Sequence, residues 1–341
     1  MAATKRTLAL DVGGANIKAA HSSGMARSMP FELWKQPDQL GGALARLAAS
    51  MPAAEVLALT MTAELCDCYE TKTAGVLAVL AAVENAVPVA PPLVWGVDSE
   101  FHSPDEIRAR PMLAAAANWL ALAQVAARLI PEGPGLLVDI GSTTADLIPT
   151  RDGRAVPEGR TDTERLQTGE LVYAGVRRTP VCALATELPH RGRPTGLAAE
   201  LFATTLDVYL SLGDISPDPL DDSTADGRPA TVDDARDRLA RMVGADREGF
   251  SLDEARALAL AADSALLDRL EIAARRVFAA AGGPPAAVVV AGTGSFLAAR
   301  LAARIVGAGS PIVRLDDAWG PVASGAACAH ALVVLADELE R

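Results

Sequence analysis

The sequence predicts an α/β layered fold built from two related lobes. Three observations lead there. Short apolar strands alternate with helical stretches along the 341 residues, a pattern that places helices on the faces of a sheet. One strand–turn–strand segment recurs. "LALDVGGANIKAA" (8–20) and "LLVDIGSTTADLI" (136–148) share an apolar run, an Asp, an apolar residue, a Gly, three small or polar residues and a return to apolar. Their Asp residues are 139 − 11 = 128 positions apart, a spacing that suits a duplicated lobe. The third observation is another Gly-rich turn, "AGTGSF" (291–296), between a β-branched strand and a helix.

The elements follow in order. Residues 7–12 read as a buried strand and 16–22 as its hairpin partner across a tight Gly turn. Strands recur at 55–60 and 93–97, with helices at 38–50, 72–86 and 112–130. Pro131, Gly133, Pro134 and Gly135 then punctuate the chain. They divide it into an N-terminal lobe, 1–132, and a C-terminal lobe, 133–341. The Pro- and Asp-rich stretch 214–230 reads as an irregular surface loop. Helices at 232–242 and 252–281 precede a strand at 286–292. After its Gly turn come a helix at 295–304, a short strand near 311–315 and a final helix over about 321–338. That last helix is expected to pack back toward the N-terminal lobe.

Composition narrows the function. Half the residues are hydrophobic but only 4% are aromatic, so Ala and Leu must do most of the packing. A formal net charge of −12 argues against nucleic-acid or anionic-membrane binding and leaves small molecules as the expected partners. A homodimer is left open. Cys66-Asp67-Cys68 lacks the spacing of a zinc knuckle, and Cys182 and Cys328 stand alone. The apolar run 113–130 carries Asn118, Gln124 and Arg128, which suits a buried helix better than a membrane span. The N-terminus has no apolar signal region, so a cytoplasmic protein is expected.

Three turns carry phosphate-type chemistry. In the first, Gly13 and Gly14 leave space for backbone N–H groups to converge on an anion. Asp11 ends the strand, Asn16 and Lys18 follow the turn, and the chain has only four lysines. Alone, an ordinary β-hairpin explains this turn better. In the second, Gly141, Ser142, Thr143 and Thr144 offer hydroxyls and amides to phosphate oxygens, Asp139 mirrors Asp11, and Asp146 is a candidate base. Two carboxylates such as Asp11 and Asp139 across a cleft would hold Mg²⁺. The third turn, Gly292-Thr293-Gly294, fails as a dinucleotide fingerprint because Leu297 stands where a third Gly is required.

The order of these turns resembles the actin, sugar-kinase and heat-shock-chaperone ATPase superfamily, in which two ribonuclease-H-like lobes clamp a nucleotide in a central cleft. "GPVASGAACAHAL" (320–332) resembles the small-residue helix that crosses between those lobes. A narrower resemblance lies in "LTMTAELCDCYETKTAGV" (59–76), "AANWLALA" (116–123), "VDIGSTTADLIP" (138–149) and "TGELVYAGVRRTPVCAL" (168–184). These are similar to a branch of the hydantoinase/oxoprolinase-related proteins linked to tetrahydromethanopterin-dependent one-carbon transfer and to methanofuran biosynthesis.

The resemblance implies a transferase with Mg²⁺ as cofactor. It would join an aminomethylfuran methyl diphosphate to the phenol of a glutamyl-tyramine or tyrosine unit, with release of diphosphate. Asp11 and Asp139 would hold the metal, and Lys18 and the 142–144 turn the diphosphate. Glu64 is the first candidate for the base, with Asp67 and Asp146 behind it. Lys72 would meet the leaving group or a substrate carboxylate. The alternative is an ATP-dependent kinase or amidohydrolase of the wider superfamily, the one reading in which ATP binds. Ala15 stands where the sugar-kinase pattern has a Thr, and Ser142 where it has a second Gly, which argues against a standard kinase.

Overall fold

The computed structural model describes residues 5–307 and 309–339. The N-terminal sheet begins with β1 (Thr7–Val12), β2 (Asn16–His21) and β3 (Ala26–Pro30) and continues past α1 (Leu40–Ala49) into β4 (Val56–Met61). After α2 (Lys72–Ala86) come β5 (Leu93–Trp95), β6 (Phe101–His102) and α3 (Pro104–Ala109). Strand order is β3-β2-β1-β4-β5-β6, with β1 and β4 parallel at the centre. β1 is buried along its whole length, as its continuous apolar run requires of a strand covered on both faces.

Helix α4 (Asn118–Ala126) leads into the second sheet, which opens with β7 (Pro134–Ile140), β8 (Ala145–Arg151) and β9 (Arg154–Ala155). Then come α5 (Asp162–Thr168), β10 (Leu171–Val172), the hairpin β11 (Glu187–His190) and β12 (Arg193–Gly196), α6 (Thr205–Leu212), α7 (Val232–Met242) and the long α8 (Leu252–Ala280). β13 (Ala287–Ala291), α9 (Ser295–Ile305), β14 (Ile312–Arg314), α10 (Leu315–Trp319), α11 (Pro321–Gly325) and α12 (Ala327–Leu339) complete the chain. Strand order is β10-β8-β7-β13-β14, with β13 parallel to β7.

The repeat is structural. Each copy is an antiparallel hairpin whose first strand lies beside a parallel strand from later in its lobe. Asp11 pairs in register with Lys18, and Asp139 with Asp146. The same backbone bond closes both turns: Gly13 N–H donates to the Asn16 carbonyl at 3.0 Å, and Gly141 N–H to the Thr144 carbonyl at 2.8 Å. The architecture is the two-lobed actin-like ATPase fold, with a cleft between the hairpins.

Each sheet buries one face against its own helices, α1 and α2 in the first lobe and α6, α8 and α9 in the second. Between the sheets lie α4 and α12. Ala117, Ala121 and Val125 of this layer join Ala329, Leu332 and Ala336 against Ala9, Ala20 and Ala58 of the first sheet. Trp119, Ala123, Ala327 and Cys328 meet Leu137 and Val289 of the second. Small side chains let two helices fit between two sheets at native packing density.

Several expectations need correction. The run at 112–130 is not one helix. Pro111–Leu113 is a 3-10 turn, Ala116 takes a left-handed φ of 50°, and α4 starts only at Asn118. Pro111–Leu129 has a mean hydropathy of 1.3, high enough for a membrane span, yet it is broken and 67% buried inside the protein. The final helix is likewise two, α11 and α12, separated at Ala326. The sequence reading also omits β3, β6, α3, α5, α6, α10 and β9 to β12, most of them short. The 214–230 segment lacks helix or strand, but Asp226 anchors it to Arg238 and Arg241 of α7, while Asp221 pairs with Arg177.

The alanine seam generates a prediction. Ala329 is fully buried, and Ala329→Leu forces added volume against β1 and β4. It should cost about 1–3 kcal/mol, read as a lower denaturation midpoint with an unchanged urea m-value.

Candidate active site

Asp11 and Asp139 each sit near the end of a central parallel strand, where open α/β sheets present their ligand sites. Asp11 is 5% exposed and accepts a hydrogen bond from Asn118 Nδ2 at 3.3 Å. Burial raises its carboxyl above the usual range, while Lys18 and Asn118 pull it down. Asp139 is pushed up to about 7 by burial first, then by the negative charges of Asp146 and Asp11, against the opposing pull of Lys18. The two hairpins therefore share one electrostatic space. Lys18 has no ion pair among the described residues and acts on both carboxylates.

Turn three closes against turn two. Gly292 has φ +86°, and a Cβ there would overlap Asp139 Oδ1 and the Ile140 carbonyl oxygen. Only glycine fits that approach. Gly294 N–H donates to the Ile140 carbonyl at 2.8 Å. Thr293 is exposed beside it. Ser142, Thr143 and Thr144 are half-buried at the turn, with Ser142 Oγ and Thr143 Oγ1 3.5 Å apart.

Cys328 was not singled out in the sequence. It sits in the first turn of α12, buried, under the influence of Asp11, Asp139, Lys18 and Asp146. Desolvation, and then those carboxylates, hold its thiol well above the ordinary range, so it is a neutral wall of the cleft. Nothing in an isolated Cys within an alanine run signals this position.

Glu64 anchors a second group of residues. It lies in the β4–α2 loop, 1% exposed, and neither carboxylate oxygen has a hydrogen-bond partner of ordinary geometry among the described residues. Burial pushes it up to about 7, Asp162 pushes the same way, and Lys72 opposes. A Cβ on Gly75 would come within 2.6 Å of Glu64 Cα, so α2 packs directly against the loop that carries it. The strained Ala116 presents its backbone to Glu64, and Asn118, two residues on, bonds Asp11. The segment 116–118 thus connects the two groups.

Two assigned roles change. Lys72 is not a free cation: its Nζ pairs with Asp162 at 2.9 Å, linking α2 of one lobe to the start of α5 in the other. Asp146 is not a free base. It is paired with Arg165, whose buried guanidinium lies 3.8 Å over the Trp119 ring. Asp67 is exposed beside Cys66 and Cys68.

Chemically, the cleft between the hairpins offers two carboxylates, a lysine and two anion-type turns. Linked to it through segment 116–118, Glu64 is a buried carboxyl raised to about 7, the range in which a general base is most effective. Two carboxylates and open turns fit Mg²⁺, which takes few protein ligands and completes its shell with water and phosphate oxygens. The mutual repulsion of Asp11 and Asp139 is what a divalent cation relieves.

The proton linkage of Glu64 is testable. Its folded form holds a proton that the unfolded chain, at 4.5, releases. Stability from this group is complete below about 4.5 and is lost as pH rises through about 7. Glu64→Gln should flatten part of the decline in melting temperature between these limits; Asp139, raised to about 7, and Asp207, raised to about 6, contribute in the same direction. Asp162→Asn removes a charge that raises Glu64 and frees Lys72, so the Glu64 titration, followed by carboxyl NMR, should move below about 7.

Comparison with known proteins agrees with this architecture. The hydantoinase/oxoprolinase family model matches residues 55–334, a span holding Glu64 and the second and third turns. A protein of Methanocaldococcus jannaschii, (4-{4-[2-(gamma-L-glutamylamino)ethyl]phenoxymethyl}furan-2-yl)methanamine synthase, is 37% identical over 250 residues, covering 72% of this chain and 74% of that one. The protein of the same name from Methanococcus vannielii is 36% identical over 133 residues, 39% of this chain and 60% of that one. Among solved structures, the nucleotide-free acetone carboxylase superposes with a TM-score of 0.53 at 10% identity, over 97% of this chain and 70% of that one, a likeness of fold. On the family match and the 37% identity across both lobes, the chain belongs to the hydantoinase/oxoprolinase family.

Proposed function

We propose that this protein forms an aryl ether of the kind spelled out in the name of its M. jannaschii relative. The observation that carries the reading is the 37% identity over 72% of the chain to that synthase. In the named product a phenoxymethyl group joins a γ-glutamylaminoethyl-phenol to a furan bearing a methanamine. The bond to be made is therefore phenol oxygen to furan-bound CH₂.

The donor is an aminomethylfuran methyl diphosphate. Its CH₂–O bond breaks with the electron pair leaving on diphosphate, and the furan stabilises the positive charge that develops on carbon. The phenol oxygen attacks that carbon, and its proton passes to Glu64. Atoms and charge balance: phenol and alkyl diphosphate become ether, diphosphate and a proton. Bound between Asp11 and Asp139, Mg²⁺ would neutralise charge on the departing diphosphate. Lys18 and the amides and hydroxyls of the 13–14 and 141–144 turns fix the diphosphate. The buried carboxyl of Glu64 suits a phenol of ordinary acidity, near pH 10 in water, because burial raises its proton affinity. Segment 116–118, against Glu64 at one end and bonded to Asp11 at the other, would fix the base relative to the leaving-group site.

The test is direct. Supplied with both organic substrates and Mg²⁺ but no ATP, the protein should release diphosphate in step with ether formation, followed by mass spectrometry. Asp11→Asn and Asp139→Asn should each cut the rate by more than about a hundredfold, the scale of losing a preorganised charge contact, with a melting temperature at or above that of the wild type, because each removes a buried carboxylate raised above its ordinary range. Diphosphate formed only with ATP, with ADP or AMP appearing, would instead support the ATP-dependent alternative.

A further inference from the structure

Each hairpin turn is braced from behind by a loop of its own lobe. In the N-terminal lobe the Phe31 and Leu33 amides donate to the Ala15 and Gly14 carbonyls, at 3.0 and 2.9 Å. In the C-terminal lobe the Val176 amide donates to Gly141 at 3.0 Å, and the Arg177 and Arg178 amides to Ser142 at 3.1 and 3.0 Å. A Cβ on Gly175 would lie 2.5 Å from the Gly141 carbonyl oxygen, so this brace is in direct contact with the turn. The two braces meet where the Arg178 guanidinium lies over the ring of Trp34, 4.7 Å from its centroid.

The adjacent arginines differ. Arg177 is committed to an ion pair with Asp221. Arg178 is exposed and has no ion pair among the described residues. Its charge is felt by Cys66, whose sulfur would stand 2.6 Å from a Cβ on Gly14. A cation without a counter-ion therefore stands between turn one and turn two.

Charge balance gives it a task. An organic diphosphate brings about three negative charges near neutrality, and the ionised Asp11 and Asp139 add two. Lys18 and one divalent cation supply only three positive charges, and bond cleavage concentrates more negative charge on the leaving group. We propose that Arg178 is a diphosphate-binding residue: it leaves the Trp34 face and clasps the diphosphate held across the two turns. A bidentate guanidinium–phosphate pair is stronger than an exposed cation–π stack, so the exchange is favourable. Trp34 is the resting place that holds the side chain over the cleft between turnovers. This rests on the diphosphate reading above, but inorganic diphosphate tests it without ether chemistry.

Calorimetric titration of the full chain with inorganic diphosphate and Mg²⁺ decides it, alongside thermal unfolding of each variant. Arg178→Ala should weaken binding at least tenfold with an unchanged melting temperature, and Arg178→Lys should recover only part. Trp34→Leu removes the resting place and should leave the affinity within twofold or tighten it. Arg178→Gln replaces the Ala variant should that fail to fold. Wild-type affinity in Arg178→Ala, or in Arg178→Gln, overturns the proposal. So does an equal loss in Trp34→Leu, which would make the contact a mere strut. Absence of diphosphate binding by the wild type overturns this proposal and the diphosphate reading together. Binding without ether formation overturns the synthase reading and leaves Arg178 in place.

Discussion

Two carboxylates that repel one another are held in a space with little water, and the cleft is organised around that fact. Asp11 and Asp139 are brought together because each occupies the same place in a repeated hairpin and the lobes face each other. Neither can relax away: Asp11 is in register with Lys18 and Thr60, and Asp139 with Asp146 and Ala291. Gly292 presses its backbone against the Asp139 carboxylate. With Lys18 as the cation shared between them, Asp139 titrates near 7. Such a site is unfavourable empty; a divalent cation between the carboxylates would relieve their repulsion and supply positive charge to a bound diphosphate. Electrostatic strain of this kind persists when the surrounding fold over-determines it.

Glu64 is raised to the same level by a different route. Its main perturbation is desolvation, and the charges that bear on it most, Asp162 and Lys72, belong to a pair that spans the lobes. The acidic groups thus fall into two sets with separate controls. One responds to what binds at the hairpins, the other to how the lobes meet. The proposed two-substrate reaction would benefit from that division, because neutralising one set would leave Glu64 able to serve as base. Segment 116–118 is the mechanical link, with Ala116 against Glu64 and Asn118 bonded to Asp11. Its left-handed alanine and the interruption of the expected long helix are the local cost of placing both contacts.

The repeat was legible in the sequence because a buried strand, an Asp at its end and a glycine turn leave a pattern along consecutive residues. The register of Asp11 against Lys18 and of Asp139 against Asp146 follows from the hairpin alone. What escaped were contacts between residues far apart. Lys72 with Asp162, 90 residues on, and Arg178 with Trp34 join lobes that no local periodicity relates. Asp146 reads as a free carboxylate until Arg165 is seen folding back from α5. The break at 114–117 was hidden because a run of alanines has high helix propensity, and the constraint that bends it lies on Asp11 and Glu64. Cys328 was silent for the same reason: its environment comes from four strands, β1, β2, β7 and β8.

Composition and chemistry meet in the inter-sheet layer. Few aromatic residues and many alanines make a core thin enough for α4 and α12 to lie between the sheets, and this brings the two hairpins within electrostatic reach. The net charge of −12 then poses a problem, since the whole molecule repels a polyanionic substrate at long range. The attraction must be local and strong. Backbone amides of tight turns supply part of it without carrying formal charge, and are unaffected by the surrounding carboxylates. On the diphosphate reading, Lys18, Arg178 and a divalent cation would supply the rest at contact distance. On that reading a phosphorylated donor would bind only where both hairpins engage it at once, so selectivity against other anions would come from the geometry of the pair of turns and not from bulk charge.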